Sequence, residues 1–209
     1  MEQFTVKVGL ASCGIAAGAE DVYNKLEEYL AKNAGAFILQ RTACIGMCFE
    51  EPIVEISGSE LGVVTLGRVT PELITPLIAE YQAGNLPSTN VILAEKHDAK
   101  RNELLANQKR IVLQNCGVID PLSLADYEAR GGYQALRKAL EMKREEIIAV
   151  VKDSGLRGRG GAGFSTGLKW TFAAAAKSDK KYVVCNADEG DPGAFMDRSV
   201  LEGDPHRIL

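Results

Sequence analysis

The chain has 209 residues, of which 46% are hydrophobic and 25% charged, and its formal net charge is −4. This length suits one large or two small domains, and this composition is typical of a globular protein with a sizeable core. The acidic balance argues against nucleic-acid binding, because a protein that binds the phosphate backbone needs a basic face.

The start of the chain, MEQFTVKVGL, lacks the basic and apolar regions of a secretory signal, and no apolar run is long enough to span a bilayer. These features predict a cytoplasmic protein without direct membrane insertion. In that reducing compartment, the five cysteines favour metal ligation or inert burial over disulfides.

Residues 1–84 are predicted to form a first domain with the order βαβ and then ββα, which is the thioredoxin-like arrangement. A βαβ unit this short implies a parallel strand pair, and the next two strands suit an antiparallel hairpin. The predicted elements are strands at 4–11 and 36–42 around an amphipathic helix at 17–33, hairpin strands at 52–57 and 62–67, and a helix at 70–82.

Residues 85–110 are predicted to be a connector, whose second half fits a solvated surface helix equally well. Residues 111–209 are predicted to form the second domain. Its predicted elements are a strand or extended segment at 110–119, helices at 123–130, 133–141, 143–153 and 166–177, a strand at 182–188, and a short helix at 198–204.

A glycine loop interrupts this second half in the sequence SGLRGRGGAGFSTGLKW, residues 154–170. Gly158, Gly160 and Gly163 match G-x-G-x-x-G, yet a predicted helix precedes the loop where the dinucleotide fingerprint requires a strand. Glycines still let backbone N–H groups approach a phosphorylated ligand, and the following helix adds its positive end. The alternative is a mobile glycine linker.

An acidic loop follows in CNADEGDPGAFMDR, residues 185–198. Its carboxylates, Asp188, Glu189 and Asp191, suit a hard cation or the hydroxyl groups of a sugar. Their spacing does not match a calcium loop. A phosphate-tolerant glycine loop beside a hydroxyl-accepting loop is what a nucleotide or flavin mononucleotide requires.

The segments RGRGGAGFSTGLKW and NADEGDPGAFMDR closely resemble the flavin- and NADH-binding subunit of respiratory complex I. They also resemble its relatives in soluble NAD(P)-linked hydrogenases and formate dehydrogenases. With a thioredoxin-like ferredoxin domain in front, the chain resembles the diaphorase subunit of multimeric iron-only hydrogenases. The resemblance implies an α/β fold, in which a thioredoxin-like domain precedes the first part of a complex I-type FMN-binding domain.

The resemblance also implies roles for single residues. The loop glycines, Arg159 and Lys169 would line the flavin, with Asn186 and the first two acidic side chains across from them. Phe164 and Phe172 would flank the NADH rings, although Phe172 also fits a core position, and Glu189 and Asp191 would touch the nicotinamide end or its ribose. The implied cofactor-binding set is Gly158, Arg159, Gly160, Gly161, Phe164, Lys169, Phe172, Asn186, Asp188, Glu189 and Asp191.

The implied activity is that of an FMN-dependent NADH dehydrogenase (diaphorase) subunit. Hydride would pass from NAD(P)H to FMN, and single electrons would then pass to iron–sulfur clusters. No side chain is required as an acid or base, so no catalytic residue is predicted. The alternative is a non-catalytic electron-transfer or docking module with a vestigial flavin site.

The implied partners are other subunits of a multi-subunit redox complex, including a small [2Fe–2S] ferredoxin-like subunit. Similar subunits continue with the rest of the flavin sheet and with a helical domain that holds a [4Fe–4S] cluster. The expectation is therefore that these 209 residues are an amino-terminal part that retains little FMN by itself.

Three cysteines of the first domain are candidate metal ligands. Cys13 follows the first predicted strand and Cys44-x3-Cys48 follows the second, so parallel strands would bring the three thiols to one edge of the sheet. Thioredoxin-like ferredoxins hold a [2Fe–2S] cluster with an early cysteine pair and a C-x3-C pair, and the early pair would fall near Gly9 and Gly14. Either a non-cysteine or a shifted ligand completes the site, or the cluster has been lost. Two cysteines lie outside this group. Cys116 is predicted to be structural, and Cys185 is predicted to be a small buried hydrophobic residue.

Overall fold

The computed structural model describes residues 3–96 and 107–209. The chain divides into two compact units, the first comprising Met1–Ala129 and Ala187–Leu209 and the second Arg130–Asn186. The predicted domain limits at 84 and 110 stay a prediction. Among the described residues, no helix has both the length and the apolar character needed to cross a bilayer.

The first unit is built on a five-stranded sheet with the order β2-β1-β3-β4-β5. Its strands are β1 Thr5–Gly9, β2 Ile38–Thr42, β3 Val54–Ser57, β4 Val64–Leu66 and β5 Val91–Ala94. Strands β1 and β2 are parallel, and the other neighbouring pairs are antiparallel. This topology confirms the predicted mixed α/β class, with βαβ followed by a ββ hairpin.

Strand β5 lies within the predicted connector. The sequence predicts that residues 91–94 link two domains, but this short apolar run pairs with β4. Without β5, β4 would be an edge strand with unpaired N–H and C=O groups, and such an edge readily accepts a neighbouring strand. The predicted surface helix in the second half of the connector falls largely on residues 97–106, which lie outside the described residues.

Nine helices are found among the described residues. They are α1 Ser12–Ala16, α2 Ala19–Lys32, α3 Pro71–Gln82, α4 Leu124–Ala129, α5 Gln134–Leu140, α6 Arg144–Asp153, α7 Thr166–Ala175, α8 Met196–Gly203 and α9 Pro205–Ile208. Helices α2 and α3 pack together over the sheet. Their apolar stripes, including Val22 and Leu26 of α2, join Val6 and Val8 of β1 in one core. Burial of such side chains contributes about 1.5–3 kcal/mol each and holds this unit together.

Two predicted strands are absent from the described structure. Residues 110–119 form turns, since Cys116 N–H donates to Leu113 C=O and Val118 N–H donates to Asn115 C=O. Residues 182–188 have no regular structure. A strand needs a neighbour to satisfy its backbone groups, and no described strand pairs with this segment.

The two cysteines outside the thiol group, Cys116 and Cys185, differ in burial. Cys116, predicted to be structural, is buried, and its thiol donates to the carbonyl of Ser199 at 3.6 Å. Cys185 is exposed. The prediction of a buried Cys185 was wrong because it depended on the strand that does not form.

Helix α8 packs closely against Cys116 and against Ala43, which follows β2. At Gly203, a Cβ atom would lie 2.6 Å from Cys116 Sγ and 2.9 Å from Ala43 Cβ. Glycine is therefore required here by packing.

We expect Gly203→Ala to destabilise the chain by about 1–3 kcal/mol through overpacking. Helix propensity alone would instead favour alanine by about 1 kcal/mol, so the two effects differ in sign. Chemical denaturation of the 209-residue chain measures the difference. Adding Cys116→Ala, which removes the sulfur but not the Ala43 contact, should restore part of the loss. A higher denaturation midpoint for Gly203→Ala would contradict this packing.

Candidate functional site

Three thiols converge at one edge of the sheet in the first unit. Cys13 lies in α1, directly after β1, Cys44 follows β2, and Cys48 begins a 3₁₀ turn, Cys48–Glu50. Their sulfur atoms all lie within 4.8 Å of one another, and Cys44 and Cys48 are 3.8 Å apart. The backbone N–H of Gly46 donates to Cys44 Sγ at 3.3 Å. The predicted convergence is confirmed, whereas metal binding by these residues stays a prediction.

The electrostatics of this thiol group suit a cation. Burial raises the pKa of Cys13 to about 11, and it also raises the pKa of Cys44. Without a cation, these two thiols therefore stay protonated. A metal reverses this preference, because a coordinating thiol is deprotonated and its negative charge is neutralised by the ion. The donor set thus fits a thiophilic metal centre such as an iron–sulfur cluster.

Glu51 is the member of this site that sequence reasoning missed. Its side chain is 7% exposed, and Oε1 lies 3.8 Å from Cys13 Sγ. Oε2 accepts a hydrogen bond of 2.8 Å from the N–H of Ile53, and burial raises the pKa of the carboxyl. In CFEEP, a glutamate before proline predicts an ordinary loop residue, and only its distance of three residues from Cys48 could have drawn attention to it.

The glycine loop of the second unit joins α6 to α7 and is closed by hydrogen bonds. Gly158 N–H donates to Phe164 C=O at 2.8 Å, and Thr166 N–H donates to Leu156 C=O at 3.0 Å. The Arg157 guanidinium adds a bond of 3.1 Å to the carbonyl inside the loop at residue 163. This closure does not support the alternative of a mobile glycine linker.

The loop glycines fall into two groups. Gly155, Gly161 and Gly163 have positive φ, which explains glycine there. Gly158 and Gly160 do not have positive φ. A Cβ at Gly160 would meet nothing within 4 Å, and one at Gly158 would make only an ordinary contact of 3.6 Å. Neither backbone conformation nor packing of the described chain requires glycine at these two positions, so the loop leaves open space that a flavin could occupy.

The helix after the loop begins with a capped terminus. The Ser165 side chain accepts a hydrogen bond of 3.3 Å from the N–H of Leu168. At Gly167, a Cβ would lie 2.5 Å from Lys152 Cα, so this glycine allows α7 to pack on α6. The loop is therefore held between two helices of one unit.

Aromatic rings near the loop are not part of a core in the described structure. Phe164 is 46% exposed and Phe172 is 61% exposed. The alternative that Phe172 is a core residue is therefore not supported. Arg159 and Lys169, the two cations predicted to line the flavin, are also exposed.

The acidic loop in the first unit has a structural role at Glu189. The Glu189 carboxylate accepts from the N–H groups of Asp197 at 2.6 Å and Arg198 at 3.0 Å, which caps the start of α8. Desolvation opposes ionisation, but these N–H donors hold the pKa of Glu189 below its ordinary value. Asp188 and Asp191 are exposed. Sequence reasoning missed the cap because the carboxylate stands eight residues before its first donor.

The predicted cofactor-binding residues are divided between the two units. Asn186 and the residues from Gly158 to Phe172 belong to the second unit, and Asp188, Glu189 and Asp191 belong to the first. Joint binding of one ligand by both groups stays a prediction.

Residues 151–209 match the family model of the Nuo51 FMN-binding domain. The NADP-reducing hydrogenase subunit HndC of Solidesulfovibrio fructosivorans is 61% identical over 49% of this chain and 21% of that protein. An F-type subunit of the NADH-quinone oxidoreductase of Rhizobium meliloti is 55% identical over 47% of this chain and 24% of its own length. The NAD-reducing hydrogenase HoxS subunit alpha of Cupriavidus necator is 36% identical over 84% of this chain and 27% of that subunit. The chain thus spans about a quarter of the length of these relatives.

Two solved structures are also similar. A thioredoxin-like [2Fe–2S] ferredoxin from Aquifex aeolicus is 20% identical over 44% of this chain and 99% of its own, with a TM-score of 0.39. An NAD⁺-reducing [NiFe]-hydrogenase is 26% identical over 97% of this chain and 32% of its own, with a TM-score of 0.36. Because both scores are low, the fold assignment rests on the strand order of the chain itself. The resemblance predicted from the two loop motifs is confirmed, since the carboxyl-terminal part of this chain is similar to the Nuo51 FMN-binding domain and to subunits of NADH-quinone oxidoreductases and hydrogenases.

Proposed function

We propose that this chain belongs to an NAD(P)H-oxidising flavoprotein subunit of a hydrogenase or complex I-like assembly. In this proposal, hydride passes from NAD(P)H to FMN, and single electrons pass on to iron–sulfur clusters, including those of partner subunits. The observation that carries the proposal is the glycine loop, because Gly158 and Gly160 are explained by nothing in the described chain itself. The loop also lies in the segment that matches the FMN-binding family model.

The backbone of the loop is suited to hold a phosphorylated flavin. Within the described residues, the backbone N–H groups of 159–163 donate no hydrogen bond to the chain. Successive free N–H groups form a concave anion site, and the amino-terminal end of α7 adds positive potential. Arg159, within the loop, and Lys169, near the start of α7, each add a full positive charge.

The side chains around the loop would orient the two ring systems. When bound, FMN accepts a hydride and releases electrons one at a time. The exposed rings of Phe164 and Phe172 offer flat apolar surfaces on which a flavin or nicotinamide ring can stack. We propose that Asn186, Asp188 and Asp191 accept hydrogen bonds from ribityl or ribose hydroxyl groups. Stacking and hydrogen bonding of this kind exclude water from the reacting face and fix its orientation.

Gly160→Val tests the flavin site without disturbing the free loop, because the new side chain has open space and no unfavourable φ. We expect it to weaken FMN binding at least about tenfold, which corresponds to about 1.4 kcal/mol. Titration of FMN with the 209-residue chain, followed by quenching of flavin fluorescence, measures binding at equilibrium even where the flavin is lost on purification.

Ala176→Val, at an exposed position just after α7, is the matched control and should leave the FMN titration unchanged. Gly161→Val should also abolish binding, but positive φ at Gly161 strains valine, so this variant alone is less informative. Measurable FMN binding by the parent chain, with equal affinity in Gly160→Val, would refute the proposed flavin site.

Glu189→Gln separates two roles of one carboxylate. As the cap of α8, Glu189 stabilises the Asp197 and Arg198 amides, so the variant should accelerate their hydrogen exchange. As a ribose ligand, it would weaken NADH reduction of bound FMN more than FMN binding, because charged acceptors form hydrogen bonds about twice as strong. Faster amide exchange with an unchanged NADH titration would assign Glu189 to the helix cap alone.

A further inference from the structure

We infer that Glu51 is the fourth ligand of the thiol group formed by Cys13, Cys44 and Cys48, and that its carboxylate and Cys13 bind one iron of a [2Fe–2S] cluster while Cys44 and Cys48 bind the other. This inference deepens the iron–sulfur part of the proposed function and rests on it.

All three sulfurs lie within 4.8 Å of one another, and two donor distances match two ligands on one tetrahedral metal. Cys44 Sγ and Cys48 Sγ are 3.8 Å apart, and Cys13 Sγ and Glu51 Oε1 are also 3.8 Å apart. Two ligands on one tetrahedral metal with bonds of about 2.3 Å lie about 3.8 Å apart, and slightly closer when one is oxygen. Each pair therefore has the spacing that one tetrahedral iron requires.

The buried Glu51 carboxylate would be stabilised in its charged form by a positive partner. The carboxylate is almost fully buried, and among the described residues no lysine or arginine forms an ion pair with it. Glu50, one residue earlier, pairs with Arg68 at 3.1 Å instead. A buried ionised carboxylate without a cation is costly, and the neutral donors Ile53 N–H and Cys13 S–H do not replace one. A metal at the thiol group supplies the missing positive charge.

Two glycines surround the position of the carboxylate. A Cβ at Gly9 would lie 3.4 Å from both oxygens of Glu51, and one at Gly14 would lie 3.1 Å from Oε2. Gly9 does not have positive φ, so backbone conformation does not explain its glycine. A cysteine at position 9 would point into the space that the Glu51 carboxylate fills. A side chain at position 9 and the Glu51 carboxylate would therefore compete for the same space.

Other side chains do not compete for this role. Cys116, the other buried thiol, lies outside the thiol group and donates to Ser199 C=O. Glu51 therefore contributes the one carboxylate found against these thiols in the described chain.

The experiment is anaerobic reconstitution of the 209-residue chain with ferrous iron and sulfide. Iron and sulfide are quantified, and the reduced protein is examined by electron paramagnetic resonance. We compare the parent chain with Glu51→Gln, whose amide oxygen can still accept from Ile53 N–H but is a weak ligand. Glu50→Gln, which changes a neighbouring carboxylate outside the thiol group, is the matched control.

We expect the parent and Glu50→Gln to take up about two irons and two sulfides per chain, and Glu51→Gln to lose most of that iron or to change its resonance signal. Mössbauer spectra of the oxidised parent should show two inequivalent ferric sites, because one iron has an oxygen ligand. The double variant Gly9→Cys, Glu51→Ala should recover the cluster with a more symmetric pair of sites. This variant keeps the test decisive if Glu51→Gln does not fold.

The outcomes separate the two levels of the inference. A cluster with unchanged iron content and spectra in Glu51→Gln would overturn the role of Glu51 and leave the cluster intact. No uptake of iron and sulfide by the parent would overturn the cluster and the ligand assignment together. Uptake of iron without sulfide would overturn the two-iron arrangement. None of these results depends on FMN binding, which the fluorescence titration tests separately.

Discussion

The candidate metal site depends on the hydrogen bonds at the carboxyl end of β1. Leu10 N–H donates to Thr42 C=O at 2.8 Å, which extends the parallel pairing with β2. Gly9 N–H donates to Ile53 C=O at 3.0 Å, which holds the segment before β3 in place. One strand end therefore sets the positions of the three segments that carry the thiols and the Glu51 carboxylate. A right-handed βαβ crossover makes this meeting point a consequence of topology.

The same arrangement creates a charge problem that the fold does not solve by itself. Three thiols and a carboxylate converge in a partly buried space. Burial raises the pKa values of Cys13, Cys44 and Glu51, which favours the neutral form of each group. Proteins tolerate such groups when a metal holds them or when they stay protonated. The second state is compatible with folding but provides no reason to keep four donors together. The site is therefore more easily understood as a ligand set than as a packing arrangement.

The sequence correctly predicted the helices and strands that have a clear apolar periodicity and clear end signals. The βαβ order, the hairpin before α3, and the helices on both sides of the glycine loop follow from apolar spacing and glycine positions. What failed were the strands predicted at 110–119 and 182–188 and, with the second of them, the burial of Cys185. An apolar run such as YVVC predicts a strand, but a strand forms only where a partner supplies hydrogen bonds, and partners are a property of the tertiary structure.

Predictions about the site residues also succeeded in part and failed in part. The convergence of Cys13 with Cys44 and Cys48 could be predicted because parallel strands end at one edge. Glu51 could not, because its burial results from contacts with Gly9 and with the thiols that only the folded chain makes.

Glycine positions connect the two candidate sites. Gly203 and Gly167 are explained by close packing, and Gly161 by its positive φ. Gly160 has neither explanation, and Gly9 is explained only by the carboxylate in front of it. A glycine costs backbone entropy, so it is expected where something must come close, and when the chain itself does not fill the space, a ligand is the natural occupant. In both candidate sites, a glycine leaves room for another group: Gly160 for the proposed flavin and Gly9 for the Glu51 carboxylate.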